Sequence, residues 1–437
     1  MKLERTIKVD CLARIEGEAG LTVRIMDTGS IDVKFRVFEP PRFFEAFLRG
    51  RSFREIGDIT ARICGICPVA YIMSSAAAIE NAFGAEPGPR IRDLRKMIYL
   101  GEWIESHALH IYMLHAPDFL GYDDAVKLAM DHREVVEQGL GLKKLGNDVV
   151  RILGGREVHP VNCRVGGFYG LPEHRVLQGM TERIKRARDA AVATVRWTAG
   201  FHFPDFEQDY EFVALSHPHE YALLDGRLIS SKGLDMDISG FEDVFKEEQV
   251  EHSTSLHSRM KDGCLYLTGP MARFNLNFEK LSKTAREAAR EAGLKPPCFN
   301  PFKSIVIRSV ELVHACDEIL LILESLELPD PPAIEVHPRA GTGIGCTEAP
   351  RGICWHRYTF DDHGTVLSAR IVPPTAQNQK IIECDIMQFV ANNRNLSDDK
   401  LVRMCEQVIR NADPCISCSC HCIDLRRTAH AGIRKIG

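Results

Sequence analysis

Asp413-Pro414-Cys415-Ile416-Ser417-Cys418-Ser419-Cys420-His421 is the stretch on which the reading of the whole chain turns. It sets two thiols three residues apart, with a carboxylate before them and an imidazole after them. Its counterpart is Arg62-Ile63-Cys64-Gly65-Ile66-Cys67, and 348 positions separate Cys67 from Cys415. A Cys-x-x-Cys turn brings two sulfurs within reach of one ion, so two such turns supply four thiolates. Soft thiolate donors suit zinc, an iron–sulfur cluster, or a soft-ligated nickel or iron centre. Zinc knuckles usually close much shorter loops. So wide a separation calls for a large scaffold that folds its two ends onto one metal.

Length and composition allow that scaffold. The chain has 437 residues, 45% of them apolar and 26% charged, the profile of an ordinary globular protein with a sizeable core. Its 55 basic and 60 acidic residues nearly cancel, at a net charge of −5, which gives no electrostatic case for nucleic acid or for a membrane surface. No apolar run approaches the ~18 residues of a membrane span. The start, Met1-Lys2-Leu3-Glu4-Arg5, is charged at once and lacks an apolar signal core, so the expected location is cytoplasmic. Fifteen cysteines, an odd number, point to metal binding plus buried thiols and away from a disulfide framework. Cys11, Cys163, Cys264, Cys298, Cys316, Cys346, Cys354, Cys384 and Cys405 are expected as small buried hydrophobes.

Periodicity predicts an α+β fold, predominantly helical. A central helical bundle is expected, with antiparallel strands at the N-terminus and small β hairpins. Residues 5–10 and 20–38 alternate apolar with polar around a turn at Gly29-Ser30, the period of half-buried strands. Pro40-Pro41 ends the pattern, and a short helix follows from Arg42 to Leu48. Cys67 opens a helix rich in small residues, Met73-Ser74-Ser75-Ala76-Ala77-Ala78-Ile79, which can pack closely against a neighbour. Helical spacing also covers 91–115, 133–153, 173–199, 278–292, 302–326 and 376–411. Strand-like pieces lie at 211–215 and 221–224, and a hairpin at 353–372 turns on Asp361-Asp362-His363-Gly364. No repeat or linker appears, and the two metal turns must share one core.

Further stretches accompany the cysteine turns: Arg14-Ile15-Glu16-Gly17, Pro41-Arg42-Phe43-Phe44-Glu45, Glu105-Ser106-His107-Ala108-Leu109-His110, Glu348-Ala349-Pro350-Arg351-Gly352 and Pro374-Thr375-x-x-Asn378. In this order, and with both cysteine signatures, they resemble nickel–iron hydrogenase large subunits over nearly the whole chain. Within that family the Pro41–Glu45 and Glu105–His110 forms look most like the cytoplasmic, NAD(P)-linked sulfhydrogenase alpha-subunit branch.

The resemblance implies a hydrogenase large-subunit fold and a nickel held by Cys64, Cys67, Cys415 and Cys418. Cys67 and Cys418 would bridge to an iron carrying carbonyl and cyanide. It implies reversible heterolytic cleavage of dihydrogen, with Cys415 taking the proton and Glu16 next in line. Arg351, oriented by Asp413, would face the open side of the metals, with Pro350 and Thr375 lining the diatomic ligands. Glu45 and His421 would hold a magnesium-type ion (Mg2+). Read singly, Glu16 is a strand carboxylate, Arg351 a loop residue and Thr375 a helix cap. His107 and His110 lie three apart but complete no metal site, and read as buried hydrogen-bonding residues.

This chain also departs from the family's pattern. Tyr71 stands where histidine is common, Ser106 where uptake-type relatives have aspartate, and Glu18 where histidine or lysine is usual. Cys420 and Cys422 are additional thiols.

Missing motifs place the electrons elsewhere. Gly341-Thr342-Gly343-Ile344-Gly345-Cys346 superficially looks like a dinucleotide loop, but its third glycine is misplaced and Pro350 follows in place of a helix. No further cysteine set has iron–sulfur spacing. Electrons are therefore expected to leave through an iron–sulfur small subunit, and the resemblance adds iron–sulfur and flavin subunits reaching NAD(P). It also implies one domain over 1–421 and a C-terminal extension, 422–437, removed by a maturation endopeptidase. The competing class is non-catalytic: a four-cysteine zinc or iron–sulfur protein whose metal ties the termini, or a hydrogenase-like structural subunit.

Overall fold

Alternation at the N-terminus produces an antiparallel sheet, Leu3–Val9, Ala19–Met26 and Ile31–Val37, paired in that order. The computed structural model describes residues 3–420 of the chain. One face of this sheet offers Ile7, Leu21, Val23, Ile25, Phe35 and Val37. These bury against Ile382, Ile386, Phe389 and Val390 of the helix Pro374–Asn392 and against Leu401, Cys405 and Val408 of the helix Asp398–Asn411. Burial of that many aliphatic and aromatic side chains, each contributing about 1.5–3 kcal/mol, docks the two ends of the chain onto each other.

Between the ends lies the helical bundle. Pro68–Phe83, Pro89–Leu109, Arg133–Gly154, Thr181–Ala199 and Ser304–Glu324 share one core that includes Cys64, Cys67, Cys415 and Cys418. Pro68–Phe83 begins with proline at its first position and ends on Gly84 in the left-handed conformation (φ 66°), the N-terminal-proline, C-terminal-glycine asymmetry of a self-limiting helix. Pro89–Leu109 crosses Arg133–Gly154 at glycines. A Cβ on Gly146 would meet the backbone at Glu105 and Gly101.

A second antiparallel sheet, Gly341–Ala349, Gly352–Phe360 and Val366–Val372, covers the small-residue helix. Gly341–Cys346 is thus a strand whose glycines permit contact of two backbones. A Cβ on Gly345 would run into the carbonyl of Ser74 and the amide of Ala78, and one on Gly343 into the carbonyl of Ala78. The alanine run and the alternating glycines are two halves of one interface.

Several boundaries differ from the expected ones. Residues 91–115 are α-helical only to Leu109, and His110–His115 widen into a π-helix, a form common at functional sites. The 173–199 segment breaks at Gly179-Met180. Where a helix was expected over 278–292, one runs Pro270–Asn277 and another, capped by the Ser282 hydroxyl, runs Lys283–Glu291. The 376–411 helix is interrupted between Asn392 and Asp398. Residues 221–224 are not a strand. Val213–Ser216 pairs instead with Arg227–Ser230, and Tyr221 turns inward to donate to Glu311. Cys11 and Cys264 are exposed, not buried, because each sits in a polar turn.

Among the described residues no helix is long and apolar enough to cross a membrane. Gly345→Ala is expected to destabilise the protein by about 1–3 kcal/mol through overpacking. Gly141→Ala, on the open face of its helix with nothing near the new methyl, should instead gain about 0.5–1 kcal/mol. Urea unfolding of both variants measures the contrast.

Candidate metal centre

Each cysteine turn is held by groups that lie far away in sequence. Cys64 follows the short helix Ile56–Ala61, and its sulfur accepts from the amides of Ile66 (3.2 Å) and Cys67 (3.4 Å). Cys67 caps Pro68–Phe83. Behind it the buried Glu102 carboxylate accepts from the amides of Val69 and Ala70, satisfying two of that helix's otherwise orphaned donors. In the second turn, Asp413 takes a left-handed conformation (φ 52°), which a short polar side chain tolerates. The Cys415 amide then donates to the Thr375 hydroxyl (3.0 Å) and the Ile416 amide to the Glu16 carbonyl (3.0 Å).

Arg42 ties the two turns together. Its guanidinium donates to the Ile63 carbonyl (2.6 Å), just before Cys64, and to the Ser417 carbonyl, just before Cys418. Its own amide donates to the Cys420 carbonyl (3.1 Å).

The outcome is a buried set of four sulfurs, all within 4.8 Å of one another. Cys64 Sγ lies 3.3 Å from Cys415 Sγ, Cys67 Sγ 3.3 Å from Cys418 Sγ, and Cys415 Sγ 2.9 Å from Cys418 Sγ. Without a cation such a group ionises unevenly. Cys64 is pushed well below the usual thiol range, because the neighbouring thiols of Cys415 and Cys418 donate to it. Burial, followed by the neighbouring sulfurs, holds Cys415 well above that range. Four thiolates this close require a multiply charged soft cation to offset their repulsion, so the donor set fits nickel, iron or zinc.

Arg351 occupies the two-residue turn Pro350-Arg351 between Ala349 and Gly352. It is 2% exposed. Its Nε donates to the Asp413 carbonyl (2.8 Å), Nη2 to Asp413 Oδ1 (3.1 Å) and Nη1 to Ser106 Oγ (3.1 Å). Burial opposes its charge, but Asp413 and the cysteine sulfurs keep the guanidinium ionised.

Glu16 reaches the sulfurs directly. Its Oε2 lies 3.1 Å from Cys415 Sγ and accepts from the Ser417 amide (3.0 Å). Burial, then the negative sulfur of Cys64, raises its pKa above the ordinary carboxylate value, which suits a group that accepts and releases protons. Burial and next Cys418 push the Tyr71 phenol well above its usual value, so it remains a neutral hydroxyl beside that sulfur.

The hairpin that carries Arg351 rests on a buried network invisible in sequence spacing. Arg273 donates through Nε and Nη2 to both oxygens of Glu311 (2.8 Å each), through Nη1 to Glu348 (2.9 Å), and to the carbonyls of Ala349 (2.9 Å) and Pro350 (3.0 Å). His107 Nε2 adds a third bond to Glu311 (2.8 Å). His110 Nε2 bonds the Arg410 carbonyl (2.7 Å). Both histidines are buried hydrogen-bonding residues outside the cysteine set.

Glu45 lies apart from the sulfurs. Its Oε1 accepts from the Ile371 amide (2.7 Å), and Arg370 joins it to Glu247. Burial pushes Glu247 up to about 7. His421, expected to share an ion with Glu45, lies outside the described residues, as do Cys422 and the rest of the C-terminal extension. Glu102, Glu247 and Arg273 belong to no motif, and Arg42, inside the Pro41–Glu45 signature, was singled out without its bonds to both cysteine turns.

Comparison with known proteins places these features in a family. Residues 42–138 match the nickel-dependent hydrogenase family model. The alpha chain of sulfhydrogenase 1 from Pyrococcus furiosus is 34% identical over 425 residues, covering 96% of this chain and 98% of that one. An F420-non-reducing hydrogenase chain of Methanothermobacter thermautotrophicus is 29% identical over 96% of this chain and 95% of its own. Among solved structures, an NAD+-reducing [NiFe]-hydrogenase in the H2-reduced state superposes with a TM-score of 0.86 at 24% identity, covering 96% of this chain and all of that one. The Ni-Fe-Se hydrogenase of Desulfomicrobium baculatum gives 0.75 at 21%, covering 95% of this chain and all of that one.

Arg273→Met is expected to leave Glu311 and Glu348 buried without their cation and to cost about 3–5 kcal/mol. Chemical denaturation measures the loss, which should exceed that of the exposed pair variant Arg133→Met by several-fold.

Proposed function

The chain belongs to the nickel-dependent hydrogenase family, and from that premise we infer that it is the catalytic large subunit of a nickel–iron hydrogenase, cleaving dihydrogen reversibly. The single observation that carries this reading is the convergence of Cys64, Cys67, Cys415 and Cys418 within 4.8 Å, with Glu16 against Cys415 and the buried Arg351–Asp413 pair within electrostatic reach of the sulfurs. Cys64, Cys67, Cys415 and Cys418 would hold the nickel, with Cys67 and Cys418 also serving the iron. When bound, the nickel–iron pair with its carbonyl and cyanide ligands supplies the site where dihydrogen is polarised and the acceptor of its electrons.

The protein's own residues handle the proton and the geometry. Cys415 Sγ is the first proton holder, and Glu16 Oε2 receives the proton across 3.1 Å. The Ser417 hydroxyl reaches Glu39 at 2.9 Å, and half-buried Glu39 offers an exit towards solvent. Arg351, fixed by Asp413 and Ser106, presents a preorganised positive charge over the centre, and such charges act most strongly in dry sites. Thr375 accepts from the Cys415 amide, so its own hydroxyl proton would be available to a cyanide ligand, and Pro350, beside Arg351, would line the same pocket.

The described residues hold no second cluster of cysteines, which supports transfer of electrons to an iron–sulfur small subunit. Further iron–sulfur and flavin subunits would carry the electrons on to NAD(P) in the cytoplasm, a reading in keeping with the sulfhydrogenase relative. Glu45 with His421 would bind Mg2+. Residues 1–421 would form one mature domain, and an endopeptidase would remove 422–437.

Elemental analysis should find nickel and iron in equal amounts, with infrared bands from carbonyl and cyanide; zinc alone would overturn the assignment. Cys415→Ser should abolish hydrogen–deuterium exchange. Glu16→Gln should leave the infrared bands in place but suppress exchange. Arg351→Lys, which keeps the charge but loses the fork, is expected to lower turnover about 10²–10³-fold. The intact mass of the active chain should correspond to an end at His421.

A further inference from the structure

Besides the cysteine centre, the described residues hold one other place where two imidazoles and a carboxylate converge. His252, His257 and Glu383 offer donor atoms within 4.8 Å of one another. Glu383 lies on the Pro374–Asn392 helix and is 3% exposed. Its Oε1 is 2.7 Å from His252 Nε2 and accepts from the Phe35 amide (3.1 Å). Oε2 accepts from Lys380 Nζ (3.0 Å) and lies 3.9 Å from His257 Nδ1.

His257 is the telling member. It opens the strand His257–Met260, is 1% exposed, and neither of its ring nitrogens has a hydrogen-bond partner. A polar ring left so in a protein interior is costly and calls for an explanation. Burial holds its pKa down to about 4, so the ring is neutral and keeps a lone pair. The separation of 3.9 Å is too long for a hydrogen bond. It is natural for two ligands of one ion, since bonds of about 2.0–2.2 Å set neighbouring ligand atoms roughly 3–4 Å apart.

We propose that His252 Nε2, His257 Nδ1 and the Glu383 carboxylate bind a divalent cation of the zinc class. Two imidazoles with one carboxylate favour such a borderline ion over magnesium or calcium, which prefer all-oxygen shells. His252 is half-buried, so water would complete the ion's shell from its side. The Phe35 amide, reaching across from the N-terminal sheet, is the outer donor that orients the carboxylate. Of the charged groups facing the site, Glu248 favours a cation, whereas Lys380 opposes it. The Lys380 side chain is 44% exposed and withdraws to water when the ion enters.

The site would brace the region around the second cysteine turn. Its histidines flank Thr254, whose amide donates to the Val37 carbonyl (2.9 Å), whose hydroxyl donates to the Glu39 carbonyl (2.8 Å), and which lies 3.8 Å from Cys420 Sγ. Glu383 belongs to the helix that presents Thr375 to Cys415. An ion here therefore fastens the 249–256 segment to that helix, independently of what the four cysteines bind.

The test uses the purified complex with its native metals, dialysed against zinc chloride, desalted and analysed for metal content and by X-ray absorption at the zinc edge. The expected result is one zinc per chain beyond the metals of the cysteine centre, in a shell of nitrogen and oxygen with imidazole scattering. His252→Gln, His257→Gln and Glu383→Gln should each weaken zinc retention by at least about 100-fold, beyond the usual outer-donor loss. Nickel and iron contents should not change, and half-buried His252 gives the variant least able to disturb folding. No additional zinc, a shell containing sulfur, or full retention of zinc in His252→Gln and Glu383→Gln would overturn the proposal.

Discussion

Everything at the centre depends on one piece of burial, the docking of the N-terminal sheet on the two C-terminal helices. Phe35, Val23 and Ile25 from one end share a core with Ile386, Phe389 and Val408 from the other. That contact sets the Ile416 amide on the Glu16 carbonyl and so brings Cys415 beside the first cysteine turn. No local propensity could do this. Hydrophobic burial is non-directional, and the backbone bond between Glu16 and Ile416 converts it into a registered position for the sulfurs.

A second theme is the handling of buried charge. Isolated, a guanidinium or a thiolate in an interior is very unfavourable. Here Arg351 is balanced by Asp413, Arg273 by Glu311 and Glu348, and Arg42 by carbonyls at both cysteine turns. Each cation sits at a join between segments distant in sequence, so pairing the charge also aligns the chain. The four cysteine sulfurs form a dense buried group that only a metal can hold fully ionised, and that demand concentrates the chemistry there.

Strain gathers in the same region. Of the four non-glycine residues with positive φ among the described residues, Arg14 lies two before Glu16, Phe43 two before Glu45 and Asp413 two before Cys415. Each bends the chain just ahead of a side chain singled out from sequence, and strained backbone of this kind persists only where surrounding contacts over-determine it.

Much of this was legible in residues alone. The paired cysteine turns announced a metal and a scaffold joining its ends, period-two alternation marked the N-terminal sheet, and the alanine run at 76–78 marked a close-packed helix. The glycines at 341–345 did not declare their purpose, because their role is to let a strand lie against that helix, a relation between segments over 250 residues apart. Helix breaks at Gly179, Leu281 and 393–397 were missed because apolar spacing continues across them while capping and packing end the helices. Residue types and spacing thus determined which side chains could ligate, donate protons and carry charge. Only the tertiary structure decided which of them meet, because hydrophobic docking and buried ion pairs act across the fold and leave no periodic trace along the chain.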